Sequence, residues 1–212
     1  LRADFIKMHG LGNDFVVLDA RTQPLPPLTA ATAHAVADRR TGIGCDQVVL
    51  IEPSARADLR IRISNADGGQ VSACGNGTRA VALLHGGPVT IETIAGVLSA
   101  VPGEGGIAVD MGVPRFEWDA VPLAYAMDTA EMPVGWEELE RPSAVNVGNP
   151  HAVFFVPDCD AVPLDLLQRH RHPKRDLRQD GQLVCRVRAV HVERRVGLRV
   201  ATFLRLRQRH EI

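Results

Sequence analysis

The stretch NADGGQVSACGNGTRAVALL, residues 65–84, decides how the rest of this chain is read. It sets Cys74 between a polar, turn-rich approach and an apolar run. Ala73, Gly75 and Gly77 leave the backbone around the thiol almost bare. The pattern predicts a helix from Cys74 to about His85, closed by Gly86, Gly87 and Pro88. A cysteine at a helix start meets unpaired N–H groups and the positive end of the helix dipole. That setting lowers a thiol pKa toward neutrality and makes the thiolate available as base or nucleophile. Gly75 and Gly77 would let a ligand reach the backbone, so that their amides bind a carboxylate. A second reading stays open: a lone cysteine is a small buried hydrophobe, and Asn76-Gly77 is a type I′ hairpin turn.

Outward from this stretch, periodicity switches between strands and helices. FIKMHGLGNDFVVLDAR (5–21) reads as strand, glycine loop, strand. In 28–44, Ala30, Ala33, Val36 and Ala37 fall at helical spacing, with Gly42 as the stop signal after a basic turn. Segments 46–52 and 59–68 are strands, and the second alternates Leu59, Ile61 and Ile63 with Arg60, Arg62 and Ser64. Segments 89–101 and 106–112 form a hairpin through PGEGG. After Gly112 a Pro-rich crossing leads to SAVNVGNPHAVFFV (143–156), two short strands around Gly148-Asn149-Pro150. LVCRVRAVHV (183–192) alternates as a further strand. The fold class is therefore α+β, with a first unit over 1–112 and a second over 113–212.

Composition excludes several classes of function. The chain has 212 residues, 45% hydrophobic and 23% charged, enough for a buried core. No apolar run approaches the ~20 residues of a membrane span, and LRADFIKMHGLGNDF lacks a signal pattern, so the expected compartment is the cytoplasm. Four cysteines without CxxC spacing give neither a disulfide scaffold nor a metal site, so no metal is expected. The net charge of −1 hides an asymmetry: residues 1–168 carry 11 Lys and Arg against 21 Asp and Glu, and residues 169–212 carry 13 against 4. HGLGND, GCDQ, NADG and GNPH each offer a short polar side chain at a glycine-flanked turn, namely Asn13, Gln47, Asn65 and Asn149.

Five ordered blocks carry a resemblance to one family. FIKMHGLGNDFVVLDAR, RRTGIGCDQVVLIEPS, RISNADGGQVSACGNGTRAVA, VTIETIAGVL and VNVGNPHAVFFV resemble successive motifs of diaminopimelate epimerase, over roughly residues 4–167. The resemblance implies two pseudo-symmetric halves, each a mixed sheet wrapped around a central helix, with a site in the cleft between them. It implies interconversion of LL- and meso-2,6-diaminopimelate for lysine and cell-wall synthesis, without pyridoxal phosphate or metal, by a homodimer. Carried over by motif, Cys74 is one acid/base thiol and His151 orients and polarises the thiol pair. Asn13, Gln47, Asn65, Gly75, Asn76 and Asn149 bind the substrate. Inversion at carbon needs two proton carriers on opposite faces, one to accept and one to donate.

Beyond Leu167 the resemblance stops. The family pattern implies a further substrate-binding asparagine, an ERGxG stretch and a second thiol in an ACG-small-G motif. Residues 168–212 contain no asparagine, and their one cysteine, Cys185, has no glycine beside it. The second half therefore reads as incomplete, and this chain as an impaired or inactive epimerase. Three readings of the basic tail compete: an out-of-frame translation, which is favoured; a divergent C-terminus on a non-catalytic, ligand-binding paralogue; and a nucleic-acid-binding arm. Phe203 is the only aromatic in the tail besides histidine, which counts against the last.

Overall fold

The computed structural model describes residues 3–10, 12–121, 123–136, 139–156, 182–187, 204–206 and 210–211. They fall into two compact units, divided between Gly112 and Val113.

The first unit is a curled mixed sheet with a helix inside it. Its strands are β1 (Asp4–Gly10), β2 (Asn13–Asp19), β3 (Gln47–Glu52), β4 (Leu59–Asn65), β5 (Gln70–Val71), β6 (Val89–Thr93), β7 (Gly96–Gly103) and β8 (Gly106–Asp110). Helix α1 is Ala30–Ala37 and helix α2 is Gly75–His85. The order β1-β2-β3-β4-β6-β7-β8 is antiparallel except at β2–β3 and β4–β6, and β5 adds to β4. Each parallel step is a crossover that contains a helix, α1 in the first and α2 in the second.

Period-two alternation explains why the sheet takes a helix on each face. Phe15 and Val17 of β2, Val49 and Ile51 of β3, and Leu59, Ile61 and Ile63 of β4 point to one side. There they enclose Ala80, Val81 and Ala82 of α2 together with Met8, Val89, Ile91 and Ala100. Val16 and Val48 point to the other side, where they meet Ala33 and Ala37 of α1, Phe5 and Cys45. Strand β3 is covered on both faces, so QVVLIE reads as a nearly continuous apolar run rather than an alternating one. Helix α2 touches β1 on one side and β7 and β8 on the other, which closes the curl around it.

Two predicted boundaries are corrected: segment 89–101, read as one strand, is β6 and β7 with a turn at Ile94 and Ala95, and α1 ends early. Helix α1 stops at Ala37, five residues before Gly42. The Asp38 carboxylate accepts hydrogen bonds from the backbone N–H groups of Arg40 and Thr41 at 2.8 and 2.7 Å, which competes with helix continuation. The loop then folds back: Ile43 and Gly44 donate to the Val36 carbonyl and Cys45 to that of Ala37. Gly42 is required there for contact, since a Cβ would lie 2.1 Å from the Ala35 carbonyl oxygen. Helix α2 follows its sequence signals, with Cys74 as N-cap and Gly86 as a left-handed C-cap at φ 84°.

The second unit, described by itself, carries β9 (Gly135–Trp136), β10 (Leu139–Glu140), β11 (Ser143–Asn146), β12 (Pro150–Val156) and β13 (Gln182–Val187). β11 and β12 form the expected hairpin, with Gly148 at φ 104° in its turn. β13 runs parallel to β12 and places Cys185 opposite Phe154. Val121, Leu123, Met132 and Ala144 form a small core. Among the described residues this unit contains no helix. Two segments of the basic tail depart from the expected division: β14 (Leu204–Leu206) and β15 (His210–Glu211) both pair with β1 of the first unit. The remaining tail positions, with Cys159, lie outside the described residues.

The core predicts a sharp contrast between two truncations. Leu59 has no exposed surface, so Leu59→Ala loses buried contacts and leaves a cavity; urea titration should show a loss of about 3 kcal/mol. Val97, 43% exposed on β7, should cost no more than about 0.5 kcal/mol as alanine. Equal losses at the two positions would contradict the assigned core.

Candidate functional site

The sheet register brings four chain ends to one place. Gly10 pairs with Asn13 at the β1–β2 turn, Phe15 with Gln47, and Gln47 with Asn65. The turn between β1 and β2, the start of β3 and the end of β4 therefore share one edge of the sheet. The N-terminus of α2 reaches the same edge, because Asn76 Nδ2 lies 3.5 Å from Asn13 Oδ1. Asn13, Gln47, Asn65, Gly75, Asn76 and Cys74, singled out in the sequence on separate loops, thus come from one end of the first unit.

Cys74 caps α2 in extended backbone, φ −142° and ψ 110°. Its Sγ accepts from Gly77 N–H at 3.4 Å, and its carbonyl accepts from Thr78 N–H at 2.8 Å. The type I′ turn at Asn76-Gly77 is excluded, since both residues are helical. Glycine in a helix costs about 1 kcal/mol relative to alanine, and α2 carries two in its first turn. Neither takes a positive φ. A Cβ at Gly75 would meet only Met111 Sδ at 3.8 Å, and one at Gly77 would meet Ile63 Cδ1 at 3.5 Å, both ordinary contacts. Conformation and packing leave Gly75 unexplained, whereas Gly77 is buried against Ile63 and Cys74 and its N–H is taken by the thiol.

Gln47 supplies the second signal. It is 5% exposed, and its Nε2 donates to Asn65 Oδ1 at 2.9 Å. Its Oε1 has no hydrogen-bond partner among the described residues. A buried acceptor without a donor costs about 1–3 kcal/mol, so the site is poised for a ligand N–H.

The thiol contradicts the expectation of a lowered pKa. Burial is the largest influence and pushes Cys74 up from the ordinary thiol value. The Gly77 and Asn76 amides and the Arg79 charge pull it down by less. A helix end favours thiolate only where water or a counter-charge helps to solvate it. At this helix end desolvation wins, and the protonated thiol is favoured.

Sequence patterns missed the charged frame behind these amides. Asp14 accepts from Arg39 at 2.7 and 3.1 Å and pairs with Lys7 at 2.8 Å; the Asp46 backbone N–H donates to it at 2.9 Å. Burial raises the Asp14 pKa, but the bonds from Arg39, Lys7 and Asp46 together hold it well below the usual carboxylate range. The guanidinium of Arg79, three residues after Asn76 on α2, donates to Asn76 Oδ1. That i, i+3 spacing was the available signal.

In the second unit, Asn149 and His151 are half-buried on the β11–β12 hairpin. His151 Nδ1 lies 2.9 Å from the Asn149 carbonyl. A carbonyl only accepts, so the proton of the neutral ring is on Nδ1 and Nε2 is left as acceptor. Among the described residues no cluster of His, Cys, Asp and Glu could hold a metal ion, and no helix is long and apolar enough to cross a membrane.

A thiol-capped helix inside a curled mixed sheet, with amides at one sheet edge, defines the class of α+β protein. Comparison with known proteins gives the family. The sequence model described as diaminopimelate epimerase matches residues 5–117. The chain is 68% identical over 167 residues to the diaminopimelate epimerase of Erythrobacter litoralis, covering 79% of this chain and 62% of that protein. It is 62% identical over 167 residues to the one of Rhizorhabdus wittichii, covering 79% and 61%. A solved hydroxyproline epimerase from Agrobacterium vitis, 21% identical, overlays with a TM-score of 0.48 over 73% of this chain and 52% of that one. The chain belongs to the diaminopimelate epimerase family. It spans about three-fifths of the length of the curated relatives that it matches.

The raised Cys74 pKa has a definite sign. The folded state favours the protonated thiol, so this stabilisation is fully present below the unfolded thiol pKa. It is lost as pH rises through the higher folded value. Peptide-resolved alkylation with iodoacetamide should label Cys74 slowly at pH 7 and show an inflection above pH 9, the ordinary thiol value for this group. Fast labelling at pH 7 with an inflection below 8 would contradict the dominance of burial.

Proposed function

We propose that the first unit is the substrate-binding half of a cofactor-independent amino-acid epimerase, and that its ligand is 2,6-diaminopimelate. The observation that carries this reading is the pairing of two features at one sheet edge. Gly75 leaves the start of α2 bare without internal cause, and the buried Gln47 Oε1 waits for a donor. An α-amino acid offers the matching groups, a carboxylate for helix-end amides and an ammonium for a carbonyl oxygen.

In the proposed chemistry the substrate carboxylate rests on the Gly75 and Asn76 amides, with Asn13, Gln47 and Asn65 holding polar groups at the same edge; the family motif alone assigns Asn149 to the substrate. Loss of the α-proton builds negative charge beside that carboxylate. Helix-end amides in a site shielded from water stabilise such charge. Cys74, resting as a thiol, delivers a proton to one face of the α-carbon. The family motif gives His151, whose Nε2 is left as acceptor, the role of polarising the proton carriers. The other face requires a second carrier: Cys45 is buried on the α1 side of the sheet, away from α2, and Cys159 and Cys185 have no glycine beside them. In this proposal the chain binds the substrate and does not invert it. The homodimer and the pseudo-symmetric second half belong to the same proposal.

Calorimetric titration of the chain with diaminopimelate, paired with an assay for conversion of the LL to the meso isomer, tests this reading. Saturable binding without conversion above the buffer blank is expected. Conversion would overturn the half-site claim, and absence of binding would overturn the ligand. The charge of residues 169–212 favours one alternative, a nucleic-acid arm on a non-catalytic paralogue. It would show as salt-dependent DNA or RNA binding in place of diaminopimelate binding.

A further inference from the structure

The amides of Asn13 and Asn76 lie on one string of hydrogen bonds whose ends are charged. Arg79 Nη2 donates to Asn76 Oδ1, and Asn76 Nδ2 donates to Asn13 Oδ1 at 3.5 Å. Asn13 Nδ2 in turn donates to Asp46 Oδ2 at 3.3 Å. Asp46 is itself held in place: its Oδ1 accepts from Arg39 at 2.8 Å, and its Oδ2 accepts from the Asp14 backbone N–H at 3.0 Å.

The chemistry of the two ends gives the string a single direction. A guanidinium only donates and a carboxylate only accepts, whereas each asparagine amide does one on each side. Reversing either amide would set a carbonyl oxygen against the Asp46 carboxylate or an NH2 group against the Arg79 guanidinium. Both amides are thereby fixed in orientation before any ligand arrives.

Arg79 is also badly placed for a stabilising surface cation. It sits half-buried in the second turn of α2, and burial lowers its pKa. Resting on the reading of this edge as a diaminopimelate site, we propose that Asp46 and Arg79 are positioning residues. Each acts through an asparagine: Asp46 sets the face of Asn13, and Arg79 sets the face of Asn76, that the ligand meets. Pre-set donors and acceptors spare the ligand the cost of ordering them, which improves affinity without a new contact.

Side-chain amide resonances in 1H–15N spectra of Asn13 and Asn76 test this directly. In the native chain each NH2 pair should give sharp, dispersed signals. Arg79→Met should shift or broaden the Asn76 and Asn13 pairs, while backbone amides in β1–β4 stay in place. Arg79→Lys, which keeps a donor-only end, should restore part of the native pattern. Asp46→Asn removes the acceptor-only end and should broaden the Asn13 pair by exchange between its two flips. If that variant fails to fold because of its ion pairs, the two Arg79 variants decide the matter. Diaminopimelate affinity should fall about tenfold in Arg79→Met, the effect of losing one charge-assisted hydrogen bond. Unchanged amide signals in Arg79→Met would overturn the proposal. If the native chain binds no diaminopimelate while the amide signals respond as described, the ligand assignment fails and the positioning role stands.

Discussion

The burial of α2 inside the curl of the sheet is the constraint on which the first unit depends. A helix whose Ala80, Val81 and Ala82 are enclosed by strands on both sides cannot tilt freely. Its N-terminus must emerge where the strands end, and there the register has already gathered the β1–β2 turn, the start of β3 and the end of β4. Helix-end amides, a thiol cap and polar strand-end side chains meet as a consequence of packing. The small residues of the helix serve packing: alanines let strands approach its body, and Gly77 lies buried against Ile63 and Cys74.

Enclosure also sets the chemistry of the thiol. The environment that makes a helix end strong for an anionic ligand, low dielectric and little water, makes the same place costly for a thiolate without one. Gly77 and Asn76 donate toward Cys74, yet burial outweighs them. The charges of the site stay behind the amides, in the cluster of Asp14, Arg39, Asp46 and Lys7. The edge thus offers dipoles rather than free charges to a ligand, and Gln47 Oε1, without a partner among the described residues, is an acceptor.

Much of this was legible in the sequence, for identifiable reasons. Period two in LRIRIS and the Cys74-to-Gly86 signals gave β4 and α2, because a half-buried strand and a capped helix each leave a local pattern. The four polar loops pointed to Asn13, Gln47 and Asn65, although only the register shows that they share an edge. The end of α1 was misjudged because the Asp38 side chain captures the next backbone amides, an interaction that Gly42 masks. The thiol pKa was misjudged because desolvation is a property of packing, and the Arg79–Asn76–Asn13–Asp46 string joins three distant segments by side-chain contacts that no periodicity reports. Asn149 and His151 belong to the second unit, and their share in the site remains a matter of motif.

The central claim is that the bare first turn of α2 and the Gln47 side chain receive an amino acid. Titration of 15N-labelled chain with diaminopimelate, followed residue by residue, tests it most directly. The account predicts saturable shifts of the Gly75, Asn76 and Gly77 backbone amides and of the Gln47 side-chain NH2, sharing one dissociation constant. Shifts confined to residues away from this edge, or none at saturating ligand, would contradict it.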